Sequence, residues 1–210
     1  MIRVISIVVA SLLSVYILFA SIYFSEERQH VPCKDLQVVV KDSLDKHFVS
    51  ENDLIELLRK AKLDPRKQPM TLVNTEQMEV ELRKNEMIQD VQVYKTPSGI
   101  IKLEVVQKMP ILRILASNGN YYVDNQGTVM PISRRYVAHV PIVSGYVEKS
   151  LAVSDLYKFA LFLQGNEFWN DQIEQIYVHP DQDVELIPRV GNHRIMLGSL
   201  DRFEEKLDNL

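Results

Sequence analysis

The residue types that do chemistry are present in this chain but not at spacings that assemble a site. His30, His47, His139, His179 and His193 are scattered, and no two stand four apart as a helical zinc site requires. They read as surface or packing residues. Ser144, Ser150, Ser154 and Ser199 lack a G-x-S-x-G elbow, and the seven glycines form no phosphate-cradling loop. In "HPDQDVE", Asp181, Asp183 and Glu185 alternate, which on a strand would put three carboxylates on one side and attract calcium. No glycine-containing calcium loop accompanies them, so a solvated strand edge is the favoured reading. Asp124, in "DNQG", reads as a turn former. Trp169 beside Phe168 is either a binding anchor or a residue pinning a helix end to the core, and the core reading is favoured. Cys33, the only cysteine, has no partner within the chain, which rules out a cysteine-rich metal site. The expectation is a protein without catalytic residues, cofactor or metal.

What remains is contact with other polypeptides. The chain carries 24 Lys+Arg against 28 Asp+Glu, a net charge of −4, which gives no electrostatic case for nucleic acid. At the N-terminus no charged residue occurs from Val4 to Ser25. About 20 apolar residues at 1.5 Å each cross a bilayer, so residues 4–25 are expected to form a transmembrane helix. The competing reading is a secretory signal peptide, whose apolar centre is normally shorter than this one. Arg3 on one side and Glu26-Glu27 on the other orient the span by the positive-inside rule. Residues 1–3 become a cytoplasmic tail, and about 185 residues lie outside the cytoplasm.

The elements that follow are legible from their periods. Residues 26–34 read as a linker, and Leu36, Val38 and Val40 alternate as in a strand. Ser50 three residues before Asp53 signals a capped helix with Leu54, Leu57, Leu58 and Ala61 on one face. Asn74 or Thr75 caps a second helix whose apolar side is expected to hold Met78, Val80, Leu82 and Met87. Two alternating runs around "TPSG" complete a strand-helix-helix-strand-strand unit at residues 35–108, with both helices on one face of a three-stranded sheet. Beyond it, residues 109–210 read as a β-rich domain. Its strands are expected at "ILRIL", "YYVD", "TVMPIS", "VPIVSG", "QIEQIYV", "DVELIP" and "HRIMLG", with a helix at 153–164 turning Leu156, Phe159, Ala160 and Leu163 inward. Leu200, Phe203, Leu207 and Leu210 recur at helical spacing with no stop signal after them, so the C-terminal end is expected to be truncated. The fold class is α+β.

Lys108, Met109 and Pro110 join the two modules. Proline has no N–H and biases the preceding residue to extended geometry, so the ladder breaks there while the chain stays elongated. A single span, this first unit and then a β domain resemble the FtsQ/DivIB family of bacterial cell-division proteins, whose first extracytoplasmic unit is a POTRA domain. "LEVVQKMPILRI", "YYVDNQGTVM", "VPIVSG" and "IMLGSLDRFEEKLDNL" are similar, in that order, to stretches of the family. Gln107 and Leu112 stand where the family usually has an acidic and a small residue.

The resemblance implies a bitopic protein of the inner membrane and division septum, N-terminus cytoplasmic and body periplasmic. It implies a scaffold that links early and late division proteins and helps control septal peptidoglycan synthesis. Its partners would be an FtsB/FtsL-type complex and other division proteins. An exposed sheet edge can accept a partner strand through main-chain hydrogen bonds, and the rim from Val184 to Leu197 is the expected place, with Val184, Leu186, Ile195 and Leu197 as contact residues. Two other classes compete. A POTRA-containing component of outer-membrane assembly or secretion would carry repeated units or a barrel, and an anchored periplasmic hydrolase would need a nucleophile-base pair or metal cluster.

Overall fold

The computed structural model describes Val9, residues 11–20, 32–41 and 48–117, and residues 119–210. Of the expected span, Val9 and residues 11–20 are helical, with large apolar side chains such as Leu12 and Phe19 exposed. The rest of 4–25 lies outside the described residues. Among the described residues, no helix is long and apolar enough to cross a membrane.

The described residues divide into two compact units. One draws on Met1–Lys41, Ser50–Lys84 and Asp90–Val105, the other on Asp42–Val49, Asn85–Gln89 and Val106–Leu210.

The first unit is built on β1 (Asp35–Lys41), α1 (Glu51–Lys60), α2 (Thr75–Arg83), β2 (Ile88–Lys95) and β3 (Ile100–Gln107). The strands form a three-stranded sheet in the order β1-β3-β2. Helix α1 starts where Ser50 takes extended backbone and closes a capping box: Ser50 Oγ accepts the Asp53 N–H at 3.3 Å, while Asp53 Oδ2 accepts the Ser50 N–H at 3.0 Å. Its buried residues are Leu54 and Leu58, one turn apart. Ser50→Ala removes an acceptor for an otherwise orphaned helix N–H, and a loss of about 1 kcal/mol is expected from the chemical-denaturation midpoint.

Helix α2 is capped by Asn74, whose Oδ1 accepts the Gln77 N–H at 3.0 Å. It buries Met78 and Leu82. Val80, expected on the same side, is exposed, because two residues along a helix is a turn of about 200° and points away from Met78. Met87 lies beyond the helix end.

The second unit holds β4 (Pro110–Ala116), β5 (Gly119–Asp124), β6 (Val129–Pro131), β7 (Ile142–Gly145), α3 (Lys149–Val153), α4 (Asp155–Gly165), α5 (Glu167–Gln172), β8 (Ile173–Val178), β9 (Val184–Pro188), β10 (Ile195–Gly198) and α6 (Phe203–Asp208). Its seven-stranded sheet runs β10-β9-β8-β7-β4-β5-β6. The β4–β7 and β7–β8 pairs are parallel and the others antiparallel. Parallel neighbours need crossovers, and α3 to α5 supply the one from β7 to β8.

One face of the sheet buries Leu112, Ile114, Val143, Ile176 and Leu186 against Leu156, Phe159, Ala160 and Leu163 of α4. Those four helix residues are the ones expected inward. The helix expected at 153–164 starts at Asp155, because Ser154 breaks it from α3 with φ −114° and ψ −88°. Trp169 on α5 is buried, with Phe168 edge-on at 5.1 Å between ring centres. On the opposite face Tyr122 and Met130 are fully buried, and the Phe48 ring stands edge-on to Tyr122 and Tyr136.

At the start of β4 the register shifts between Pro110 and Leu112. There the Met109 carbonyl accepts the Asn125 N–H at 2.8 Å. Gln107, buried, accepts the Val49 N–H at 2.9 Å.

Candidate partner-binding site

Strand β10 ends the seven-stranded sheet, pairing on its inner side with β9 through Ile195↔Leu186 and Met196↔Glu185. Among the described residues, its far side is an edge with no strand beyond it. The alternation that builds the strand also turns its apolar residues inward. Val184, Leu186 and Leu197 are buried in the core, and Ile195 packs partly buried against it. These side chains hold the rim in place, and the more exposed surface is the main chain of β10 and the outward row between them.

That row begins with Met196, 67% exposed, opposite Glu185. The Glu185 side chain is buried, 3.1 Å from His179 Nε2, and accepts from Arg194 Nη1 at 2.9 Å. Burial pushes its carboxyl upward, but Arg194 and His179 outweigh burial and hold it below the ordinary glutamate value. Glu185 thus fastens the residue that leads into β10 to the neighbouring strand. Among the described residues, no group of three His, Cys, Asp or Glu side chains could hold a metal ion. At the far end of β10, Lys206 of α6 donates to the carbonyls of Leu197 at 3.2 Å and Ser199 at 2.7 Å.

A second feature lies on the same sheet. A cavity of about 210 Å³ is lined by Arg113 of β4, Val137 to Val140 and Ile142, Glu174 of β8 and Arg189. Arg113 Nε is buried and has no hydrogen-bond partner, while its guanidinium carbon sits 6.0 Å from the centre of the Tyr122 ring. Arg189 meets Glu174 at 3.3 Å, both about half exposed, so that pair is loosely held. With Arg113 and Arg189 against Glu174 the cavity offers excess positive charge, an orphaned N–H and an apolar wall, which suits a carboxylate on a short aliphatic stem.

Sequence reasoning missed Arg113. The signal was there: a lone charged residue at the centre of "PILRIL" is turned by alternation away from Leu112 and Ile114.

Comparison with known proteins agrees with this architecture. Residues 31–106 match the model of a POTRA-like domain, and residues 109–210 match the model described as FtsQ/DivIB, C-terminal related. The second unit thus groups with domains related to the C-terminal part of FtsQ/DivIB, and the first with POTRA-like domains. Among solved structures, it is similar to the major extracytoplasmic domain of the trans isomer of the cell division protein DivIB from Geobacillus stearothermophilus. That match has 12% identity and a TM-score of 0.34, and covers 49% of this chain and 87% of the other. No curated protein matches the chain.

Proposed function

We propose that this chain is an FtsQ/DivIB-type, non-catalytic, single-span scaffold of the divisome. It connects early and late division proteins and tunes septal peptidoglycan synthesis by contact. Val4 to Ser25 anchor it in the inner membrane with the body in the periplasm, and Lys108, Met109 and Pro110 join its two modules. The observation that carries the reading is the open edge of β10 at the end of the seven-stranded sheet. An extended segment of an FtsB/FtsL-type partner pairs with that edge through main-chain hydrogen bonds.

The partner then crosses the outward face. Four strand spacings of about 4.8 Å away, it places an acidic side chain in the Arg113 cavity.

Depleting the protein is expected to give long unseptated filaments. Cells that septate normally but assemble outer-membrane proteins poorly would reject the reading in favour of a secretion role. In the same background, Arg113→Glu should accumulate to normal levels yet fail to restore septation. Affinity for the partner should fall about 100-fold, since truncating or reversing one side of a desolvated charge contact costs about 2 to 5 kcal/mol.

A further inference from the structure

The first unit has a sheet edge of its own at β2, and two side chains of α2 cover it. Glu79 Oε1 accepts the Val93 N–H at 2.8 Å, and Arg83 Nη2 donates to the Val91 carbonyl at 2.7 Å. The two side chains, one helical turn apart, are also an ion pair at 3.2 Å, with Asp90 3.7 Å from the same Arg83 nitrogen. Val91 and Val93 are two residues apart, so their groups point the same way, outward from the sheet. An acceptor and a donor thus sit where the main chain of an added strand would place its own.

The strand beneath is an association hazard. "IQDVQVYK" is eight residues long, rich in strand-forming residues, free of proline, and pairs on its other side with β3. It is also self-complementary. In a two-fold antiparallel pairing centred on Gln92, the Val91 carbonyl of one copy would accept the Val93 N–H of the second copy, and the reverse. Those are the two groups that Arg83 and Glu79 occupy. The pairing would set Asp90 opposite Tyr94 and Gln89 opposite Lys95, with no like charges facing each other.

We propose that the Glu79–Arg83 pair is an edge guard that keeps β2 from pairing with β2 of a second copy of this chain. The guard is a side-chain imitation of a strand, held at the surface, where such a pair adds little to folding stability. Its role is negative: it leaves strand addition to other edges of the molecule.

The test uses the full chain in detergent micelles, followed by sedimentation equilibrium and by amide hydrogen exchange at Val93. The double variant E79A/R83A is expected to dimerise at least 10-fold more tightly than the unchanged chain. At concentrations where it is monomeric, its Val93 amide should exchange faster. Adding Val93→Pro, which removes the outward N–H and leaves the inward ladder alone, should return the double variant to the unchanged chain's behaviour. The single variants Glu79→Ala and Arg83→Ala each uncover one group and should fall between.

Unchanged sedimentation and unchanged Val93 exchange in the double variant would overturn the proposal. So would a dimer that survives Val93→Pro, since it would form through another surface.

Discussion

Gly145→Ala is expected to destabilise the second unit by about 3 to 5 kcal/mol, in the range of the most damaging single substitutions. Gly145 closes β7 with φ +96°, and a Cβ built there lies 2.2 Å from the Val178 carbonyl oxygen. That carbonyl belongs to the parallel ladder of β7 and β8, in which Gly145 pairs with Val178, and it accepts the Tyr146 N–H at 2.9 Å. The clash is therefore with backbone that is already committed, and no rotamer change relieves it. Both the left-handed conformation and the close approach select glycine. Gly165→Ala is the internal control: an added Cβ at the end of α4 meets nothing within 4 Å, and a gain of about 0.4 to 1 kcal/mol is expected. Urea unfolding followed by circular dichroism should show the two midpoints moving in opposite directions. A Gly145→Ala midpoint equal to that of the unchanged chain would mean the β7–β8 contact is not held as described.

Asp124→Ala should cost about 3 to 5 kcal/mol, the usual penalty for breaking a buried, hydrogen-bonded charge pair. The Asp124 side chain is almost fully buried at the β5–β6 turn. Its Oδ1 accepts the N–H groups of Gln126 at 2.9 Å and Thr128 at 2.8 Å, and its Oδ2 accepts the Thr128 hydroxyl. Lys108, which itself donates to the Thr128 hydroxyl at 2.9 Å, stands 3.3 Å from Oδ2. Asp124→Ala would leave two turn N–H groups and the Thr128 hydroxyl without their acceptor, and the Lys108 ammonium without its counter-charge. Asp124→Asn keeps a carbonyl oxygen for the turn, and its expected cost is about 1 to 2 kcal/mol.

Burial pushes the Asp124 carboxyl upward, but the hydroxyl and N–H of Thr128, the Gln126 N–H and Lys108 outweigh it and hold the group below the ordinary aspartate value. A depressed folded-state pKa contributes stability that is complete above the unfolded value of about 4 and is lost as pH falls through the folded one. Acidification below pH about 4 should therefore lower the unfolding free energy, and Asp124→Asn should flatten that limb. An acid limb of unchanged slope in Asp124→Asn would place the acid-labile group elsewhere, with Glu185 and Asp64, also held below their ordinary values, as the next candidates.

Asp124 and Gly145 also mark how far the sequence could be read. "DNQG" announced a turn and "VPIVSG" a strand that stops at a glycine, because turn chemistry and φ > 0 leave local signatures. What the carboxylate binds was invisible, since Lys108 is 16 residues away along the chain. The same divide runs through the partner site. The rim from Val184 to Leu197 was legible as strands, with its apolar residues expected as partner contacts, and the structure turns most of them into the core. A two-residue period says which residues share a face and is silent on which face meets the core.

The amino-acid sequence alone determined the caps at Ser50 and Asn74, the inward stripe of α4 and most of the order of elements. Each of these is set by neighbours within a turn or two of chain. Only the tertiary structure decided that β10 ends the sheet, that Arg113 Nε is buried without an acceptor, and that Glu79 and Arg83 cover the edge of β2. Those facts depend on which distant strands and helices lie side by side, and long-range pairing is selected by burying apolar faces together, a property of the whole fold that no short stretch carries.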